Sequence, residues 1–383
     1  MAVTVRKKRD RGVVAVAMSG GVDSSLTALL LAEQGWQVVG FTLLLHDEGD
    51  GVNVSPRGRD RRCCHLEGAE RARQAALRAG GEHHVLDVRA AFQETVIADF
   101  EREYARGRTP NPCVRCNTFL KWGLLYEHGR RLGAGMFATG HHARVDAGSA
   151  REDGSTHPRL LRARDPDKDQ SYALWGIPRS HLAHTLLPVG ELTKQEVRAR
   201  AAAYGLAAAG VPDSQEICFV PGDYRDFLAG RVAAGRAQPG LDGAFAPGDI
   251  VDGEGQVMGR HGGTARYTIG QRRGLGVATG RPLFVEAIDP ATRTLRVGEG
   301  EGLLRREMTV EGANWVSSDP PSGPLRAEVH IRYNDPGAPA EVRPAGSHRF
   351  EVLFDESQRA VTPGQSAVVY QGEVVLGGGV IAG

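Results

Sequence analysis

Short apolar runs, punctuated by glycine and by polar turns, organise the first half of the chain. Residues 13–18 form a continuous apolar run that ends in glycines, residues 24–34 have helical composition, and residues 37–45 are apolar again. That order predicts strand, helix, strand, the opening of a parallel α/β sheet. The alternation continues with a helix over 66–79, a strand over 84–88 and a helix over 91–106 that carries Phe92, Val96, Ile97 and Phe100 on one face. A helix over 118–132 and a buried strand over 135–140 follow. Residues 46–62, polar and rich in Gly, Asp and Arg, are expected to form a mobile loop able to close over a site. After Gly230 the helical period fades. Short β-like runs at 282–287, 294–297, 328–332, 350–354, 366–370 and 374–380 recur between Gly and Pro, as in a small β-barrel or sandwich.

With 383 residues the chain exceeds one ordinary core. The expected architecture is α/β: a Rossmann-like parallel-sheet domain over 1–212, a small central α+β domain over 213–287 and a C-terminal β-barrel over 288–383. Hydrophobic residues at 41% and charged residues at 24% exclude a disordered or fibrous protein. The longest apolar stretches, such as 26–32, fall short of the roughly 20 residues of a membrane helix, so no membrane partner is expected. The basic cluster at 6–11 leads into a β-like run and a glycine turn in place of a signal peptide, and a cytoplasmic protein is expected. The net charge of +1 gives no global attraction for polyanions, so nucleic-acid binding has to come from local clusters such as 57–62 and 260–273. Five cysteines are too few, and odd in number, for a disulfide framework, so each needs its own explanation.

The segment Ser19-Gly20-Gly21-Val22-Asp23-Ser24-Ser25 joins the first strand to the first helix, where backbone amides and a helix N-terminus converge on an anion. Paired glycines permit close approach, the serines add donors, and Asp23 can hold a Mg2+ ion that bridges phosphate oxygens. The Walker lysine and the G-x-G-x-x-G spacing are both absent. The string resembles the PP-loop of ATP pyrophosphatases, which release pyrophosphate and leave AMP on a substrate oxygen. ATP is therefore the expected cofactor, with Ala17, Met18, Ser19, Gly20, Gly21, Val22, Asp23 and Ser24 around its phosphates. Leu43 and Gly140, at the ends of later strands, are expected to line the nucleotide crevice. Adenylation turns a poor leaving oxygen into a good one, and the next nucleophile in such enzymes is nitrogen or sulfur.

The cysteines bear on that choice. Gly107-Arg108-Thr109-Pro110-Asn111-Pro112-Cys113-Val114-Arg115-Cys116-Asn117 and Asp213-Ser214-Gln215-Glu216-Ile217-Cys218-Phe219 are two polar loops about 100 residues apart. Together with Ala138-Thr139-Gly140-His141-His142-Ala143-Arg144, Lys168-Asp169-Gln170-Ser171-Tyr172, Thr268-Ile269-Gly270-Gln271-Arg272 and Arg332-Tyr333, they resemble the tRNA-specific 2-thiouridylases along nearly the whole chain. The resemblance implies that Cys116 is the catalytic nucleophile and that Cys218 carries sulfur as a persulfide. It implies a wobble uridine in a tRNA anticodon stem-loop as target, contacted by Asn111, Pro112 and Cys113. Further tRNA contacts are implied at Lys168, Asp169, Gln170, Ser171 and Tyr172, at Arg332 and Tyr333, and at His141 and Gln365. The sulfur would come from a persulfide donor derived from a cysteine desulfurase.

Arg115, Lys121 or a helix N-terminus near Asn117 would help ionise the Cys116 thiol. Cys113 stands where one common form of the motif has aspartate, so no acid or base role transfers to it. With Cys116 and Cys218 it offers three soft ligands for a [4Fe-4S] cluster or zinc, leaving persulfide, cluster and structural-zinc chemistry as alternatives. Cys63 and Cys64 are left out of the site, and His142 is expected to pack or cap. Two other classes compete: a PP-loop enzyme with a nitrogen nucleophile, which has no need of Cys116 and Cys218, and a non-catalytic tRNA-binding or redox-sensing protein.

Overall fold

The computed structural model describes residues 11–46, 66–148, 157–212, 217–220, 222–277 and 280–383. All but the first residue of the expected loop at 46–62, the basic cluster at 57–62, Cys63, Cys64 and residues 213–216 lie outside the described residues.

Five parallel strands, β1 (Val13–Ala17), β2 (Gln37–Leu44), β3 (Glu82–Asp87), β4 (Met136–Thr139) and, after the hairpin of β5 (Arg144–Asp146) and β6 (Arg159–Leu161), β7 (Thr185–Leu186), form the first sheet. Their order is β3-β2-β1-β4-β7. The chain departs from β1 in opposite directions to β2 and to β4, so a crevice opens beyond the carboxyl ends of those two neighbours. The apolar run of β1 serves both faces. Val14 and Val16 pack with Leu26, Leu31 and Ala76 on one side, while Ala15 packs with Phe92, Phe100, Leu120 and Trp122 on the other. Burial on both faces is why β1 reads as an unbroken apolar run instead of an alternation.

The helix Lys194–Ala203 closes the first of these faces. Its start is a capping box, in which the Thr193 hydroxyl accepts from the Glu196 amide at 3.2 Å and the Glu196 carboxylate accepts from the Thr193 amide at 2.7 Å. On the opposite face, Pro112–Arg115 continues into a widened π-type turn over Cys116–Leu125 and then Tyr126–Arg131. Such widened turns recur at functional sites.

Strands β8 (Gly248–Val251), β9 (Val257–His261), β10 (Phe284–Asp289) and β11 (Thr294–Gly298) make a second sheet around Ile250, Val285, Leu295 and Val297. The last six strands, β12 (Leu304–Asn314), β13 (Leu325–His330), β14 (Ala338–Pro344), β15 (Arg349–Arg359), β16 (Ser366–Gln371) and β17 (Val374–Ile381), close into a barrel through the β12–β17 pairing. Val310, Ala340, Val342, Phe350, Val352, Phe354 and Ile381 fill it.

The barrel is bonded into the first domain. Strand β6 adds to β17, with Leu161 opposite Val374. Asn314 donates to the carbonyls of Trp175 and Ile177 at 2.6 and 2.9 Å. A Cβ on Gly378 would lie 2.8 Å from the Trp175 ring, so glycine there allows the indole against the strand.

Candidate nucleotide and thiol site

The glycine turn after β1 is tight for a steric reason. Gly20 has φ +73°, and a Cβ on it would lie 2.0 Å from the carbonyl oxygen of Gly68. On the other side, a Cβ on Gly140, at the end of β4, would meet the Ser24 amide at 2.5 Å. Backbone therefore packs on backbone around the first turn of the helix Val22–Glu33, and Gly21 caps that helix without a side chain. Ser24 Oγ accepts from the Ser19 amide at 3.2 Å and donates to the Gly21 carbonyl, which closes the loop on itself. The Arg71 guanidinium donates to the Gly20 carbonyl at 3.1 Å. Met18, Val22 and Leu43 are buried in the core, so any contact they make with a nucleotide is through backbone. Ala17 is half-buried at the end of β1.

Asp23, in the first turn of that helix, is held from two sides. Both its carboxylate oxygens accept from Lys194 Nζ at 2.8 Å, and Oδ1 also accepts from His142 Nε2 at 3.1 Å. Burial alone would raise the carboxyl, but the His142 hydrogen bond and the Lys194 ammonium outweigh it and hold Asp23 below the usual carboxylate range. The role of Lys194 is not legible in the sequence. Its helix start is legible in Thr193-Lys194-Gln195-Glu196, but nothing local shows that its ammonium reaches a carboxylate 171 residues earlier.

These contacts alter the expected metal chemistry. Both Asp23 oxygens are engaged, and among the described residues no group of three or more His, Cys, Asp or Glu side chains is placed to hold a metal ion. With Lys194 in place Asp23 has no free oxygen for Mg2+, and Cys113, Cys116 and Cys218 are not among any such group of described residues. A Mg2+ ion carried by a nucleotide takes its ligands mainly from phosphate and water.

Asn111 caps the Pro112–Arg115 helix, its Oδ1 accepting from the Val114 amide at 3.4 Å, and proline at the first helical position suits the fixed φ. The helix thus starts before Cys113, not near Asn117 as expected from sequence. Cys116 lies in the second turn, beyond the short reach of the helix terminus. Arg115 is drawn to Asp99 at 3.3 Å and lies over the Phe119 ring. Cys113 is exposed, whereas Cys116 and Cys218 are half-buried and pack against the same core. Next to Cys218, Phe219 is buried in an edge-to-face cluster with Phe92, Phe100 and Phe227. That cluster fixes the second cysteine segment against the helices leading to the first.

Two adjacent histidines connect the halves of the site. His141 Nε2 lies 3.4 Å from Lys121 Nζ, on the helical stretch that bears Cys116, and its Nδ1 is 2.7 Å from Thr139 Oγ1. An ammonium can only donate, so Nε2 accepts and Nδ1–H donates to Thr139. Burial, then the neighbouring Lys121 and His142, push the His141 imidazole well below its ordinary value and keep it neutral at pH 7. Lys121 also donates to Asn117 Oδ1 at 2.8 Å. His142 turns the other way, to Asp23. One histidine therefore faces the cysteine helix and the next faces the glycine turn.

The remaining expected contacts divide into scaffold and surface. Asp169 accepts from the Ala163 amide and the Ser171 hydroxyl at 2.9 and 2.8 Å, and Gln170 accepts from the His142 amide at 2.8 Å. Ser171 and Tyr172 are buried; Ser171 meets the Tyr370 hydroxyl and Tyr172 donates to the Ser366 carbonyl. These four side chains hold the loop and join it to the barrel. Gln365 likewise donates inward, to Thr109 and Pro110 carbonyls. Arg332 and Tyr333 are exposed. Tyr333 stands 6.2 Å from the Tyr172 ring, and its phenol is raised by partial burial and by the charge of Asp169, with Lys168 opposing and Cys113 adding. An open face therefore gathers Cys113, Lys168, Tyr333 and Arg332.

A doubly wound sheet with a phosphate-type glycine turn at its switch point, joined to two β domains, defines a nucleotide-utilising PP-loop enzyme class. Residues 12–222 match the tRNA methyl transferase HUP domain, 242–299 the tRNA methyl transferase PRC-barrel domain and 305–381 the aminomethyltransferase beta-barrel domain. The chain is 45% identical to the tRNA-specific 2-thiouridylase MnmA of Roseiflexus castenholzii, over 96% of this chain and 99% of that one. It is 44% identical to the same enzyme of Solibacter usitatus, over 96% and 98%. A 4-thiouridine synthetase in complex with RNA and ATP is a loose structural neighbour, with TM-score 0.34 and 15% identity over 60% of this chain and 51% of that one. The chain belongs to the tRNA-specific 2-thiouridylase family, whose members are tRNA sulfurtransferases.

Proposed function

We propose that this enzyme replaces the C2 oxygen of the wobble uridine of tRNA with sulfur, using ATP and a persulfide on Cys218. The anticodon loop presents an unpaired base that can be splayed out at low cost, and the cytoplasm supplies both tRNA and ATP. The uracil C2 oxygen attacks the α-phosphorus of ATP, pyrophosphate leaves, and AMP is left on that oxygen. The outer sulfur of the Cys218 persulfide, delivered from a cysteine desulfurase, then attacks C2, and AMP departs with the oxygen. The Cys116 thiolate attacks the inner sulfur, the carbon-bound sulfur is released as the thiocarbonyl, and a Cys116–Cys218 disulfide forms. In the other order, Cys116 first frees sulfide from Cys218 and the sulfide attacks C2. Either route ends in a disulfide that an external dithiol reduces by two electrons.

What supports this reading is that Cys116 and Cys218 both pack against one core, that Lys121 on the helical stretch bearing Cys116 meets His141, and that His142 meets Asp23 at the glycine turn. A nitrogen nucleophile gives no reason for two thiols there. The test separates the half-reactions: Cys116→Ala and Cys218→Ala should each lose thiolation while AMP formation on tRNA persists. Normal thiolation by either variant rejects the assigned roles.

A further inference from the structure

The glycine turn contains no lysine, yet the structure brings one to it. Lys194 is the first residue of the helix Lys194–Ala203. Its backbone is fixed by the capping box and by donation of its amide to Asp165 Oδ2 at 2.8 Å. Its side chain is 11% exposed, and the ammonium grips both Asp23 oxygens within the first turn of the helix that follows the glycines. A cation held there is within reach of any anion bound by the Gly20 and Gly21 backbone. Arg71, a second cation at the turn, donates to the Gly20 carbonyl and lies 3.7 Å from Glu67.

We propose that Lys194 is the polyphosphate-binding residue of this site, supplied in space where the Walker lysine is missing in sequence. When ATP enters, the ammonium exchanges the single charge of Asp23 for the several charges of the phosphate chain. His142, buried and bonded to Asp23 Oδ1, keeps the released carboxylate in place. The stem pivots on a rigid helix start, so the exchange needs side-chain rotation alone. AMP lacks the β- and γ-phosphates, so Lys194 discriminates ATP from AMP. The proposal rests on the ATP-dependent reading above.

Calorimetric titration of the full chain with ATP and, separately, with AMP tests it. Lys194→Met should weaken ATP binding by about 10- to 100-fold, the worth of one or two charge-assisted bonds, and change AMP binding by less than about twofold. Lys194→Arg should restore most of the difference. Because Lys194→Met strands the Asp23 carboxylate, the double variant Asp23→Asn/Lys194→Met carries the same readout with both charges removed, and should show the same selective loss of ATP. Equal weakening of ATP and AMP, or unchanged ATP binding, overturns the role of Lys194 while leaving nucleotide binding intact. A wild-type chain that binds neither nucleotide overturns both readings together.

Discussion

The Gln365 side-chain amide, on the barrel, donates to the carbonyl of Thr109 at 3.0 Å, two residues before the Asn111 cap that begins the cysteine helix. Beside it, Gly364 has φ +92°, and a Cβ there would fall within 3.0 Å of the Thr109 backbone. The Thr109 amide in turn donates to the Pro363 carbonyl at 2.9 Å. The barrel is thus a clamp on the loop that sets where Cys113 and Cys116 stand.

Loosening that clamp has separable consequences. Gln365→Ala removes two hydrogen bonds and should cost about 1–2 kcal/mol, whereas Gly364→Ala adds a left-handed strain of about 1–2 kcal/mol to a backbone clash and should cost more. Both should impair thiolation more than ATP binding. Denaturation midpoints and titrations check the order; a Gly364→Ala chain as stable as wild type contradicts it.

Glu101 is fully buried and pairs with Arg231, its other oxygen accepting from the Gln238 amide at 2.9 Å. This joins the helix Ala98–Ala105 to the segment that follows Cys218. Stranding the arginine with Glu101→Ala should destabilise the chain by about 3–5 kcal/mol, read as a drop in urea midpoint. A loss under about 1 kcal/mol would mean that the pair is dispensable.

The neutral His141 predicts a pH dependence. The unfolded chain protonates this histidine near its ordinary value of 6.5, while burial and its neighbours depress the folded value well below that. The stabilisation is complete above pH 6.5 and is lost as pH falls from there toward the folded value, by at most about 1.4 kcal/mol per pH unit. His141→Gln should flatten this limb of the melting profile. An unchanged slope below pH 6.5 would show that another group is responsible.

Tyr333 is 47% exposed beside Lys168 and Cys113. An open aromatic ring beside a lysine suits stacking on an unpaired base. Tyr333→Ala should weaken tRNA binding by about 1–3 kcal/mol with stability within about 0.5 kcal/mol of wild type. Filter binding and melting measure the two quantities; equal losses in both would assign the ring to packing.

Sequence periodicity revealed elements where burial is continuous or sharply periodic. Both-face burial made β1, β2 and β4 legible, and a glycine turn between strand and helix announced the phosphate site. Strands β12 and β14 escaped because their signals are weak: β12 opens with exposed Leu304, Arg305, Arg306 and Glu307, and β14 carries Pro339 and Pro344 with small alanines inside. The cysteines were found through resemblance, since nothing in local spacing links residues about 100 apart. Lys194 and the His141–Lys121 contact escaped for the same reason: polar contacts between distant residues leave no period. The side chains of Ser171 and Tyr172 are buried against the barrel, a long-range packing that the local string does not reveal.

The proposed enzyme places sulfur on a single base. Purified enzyme should be incubated with ATP, a persulfide donor and an unmodified tRNA transcript, and the digested nucleosides and anticodon fragments analysed by mass spectrometry. The expected products are 2-thiouridine at the wobble position and one equivalent of AMP per sulfur, with neither formed without ATP. Sulfur incorporated without AMP release, or found at C4 or outside the anticodon loop, would contradict it.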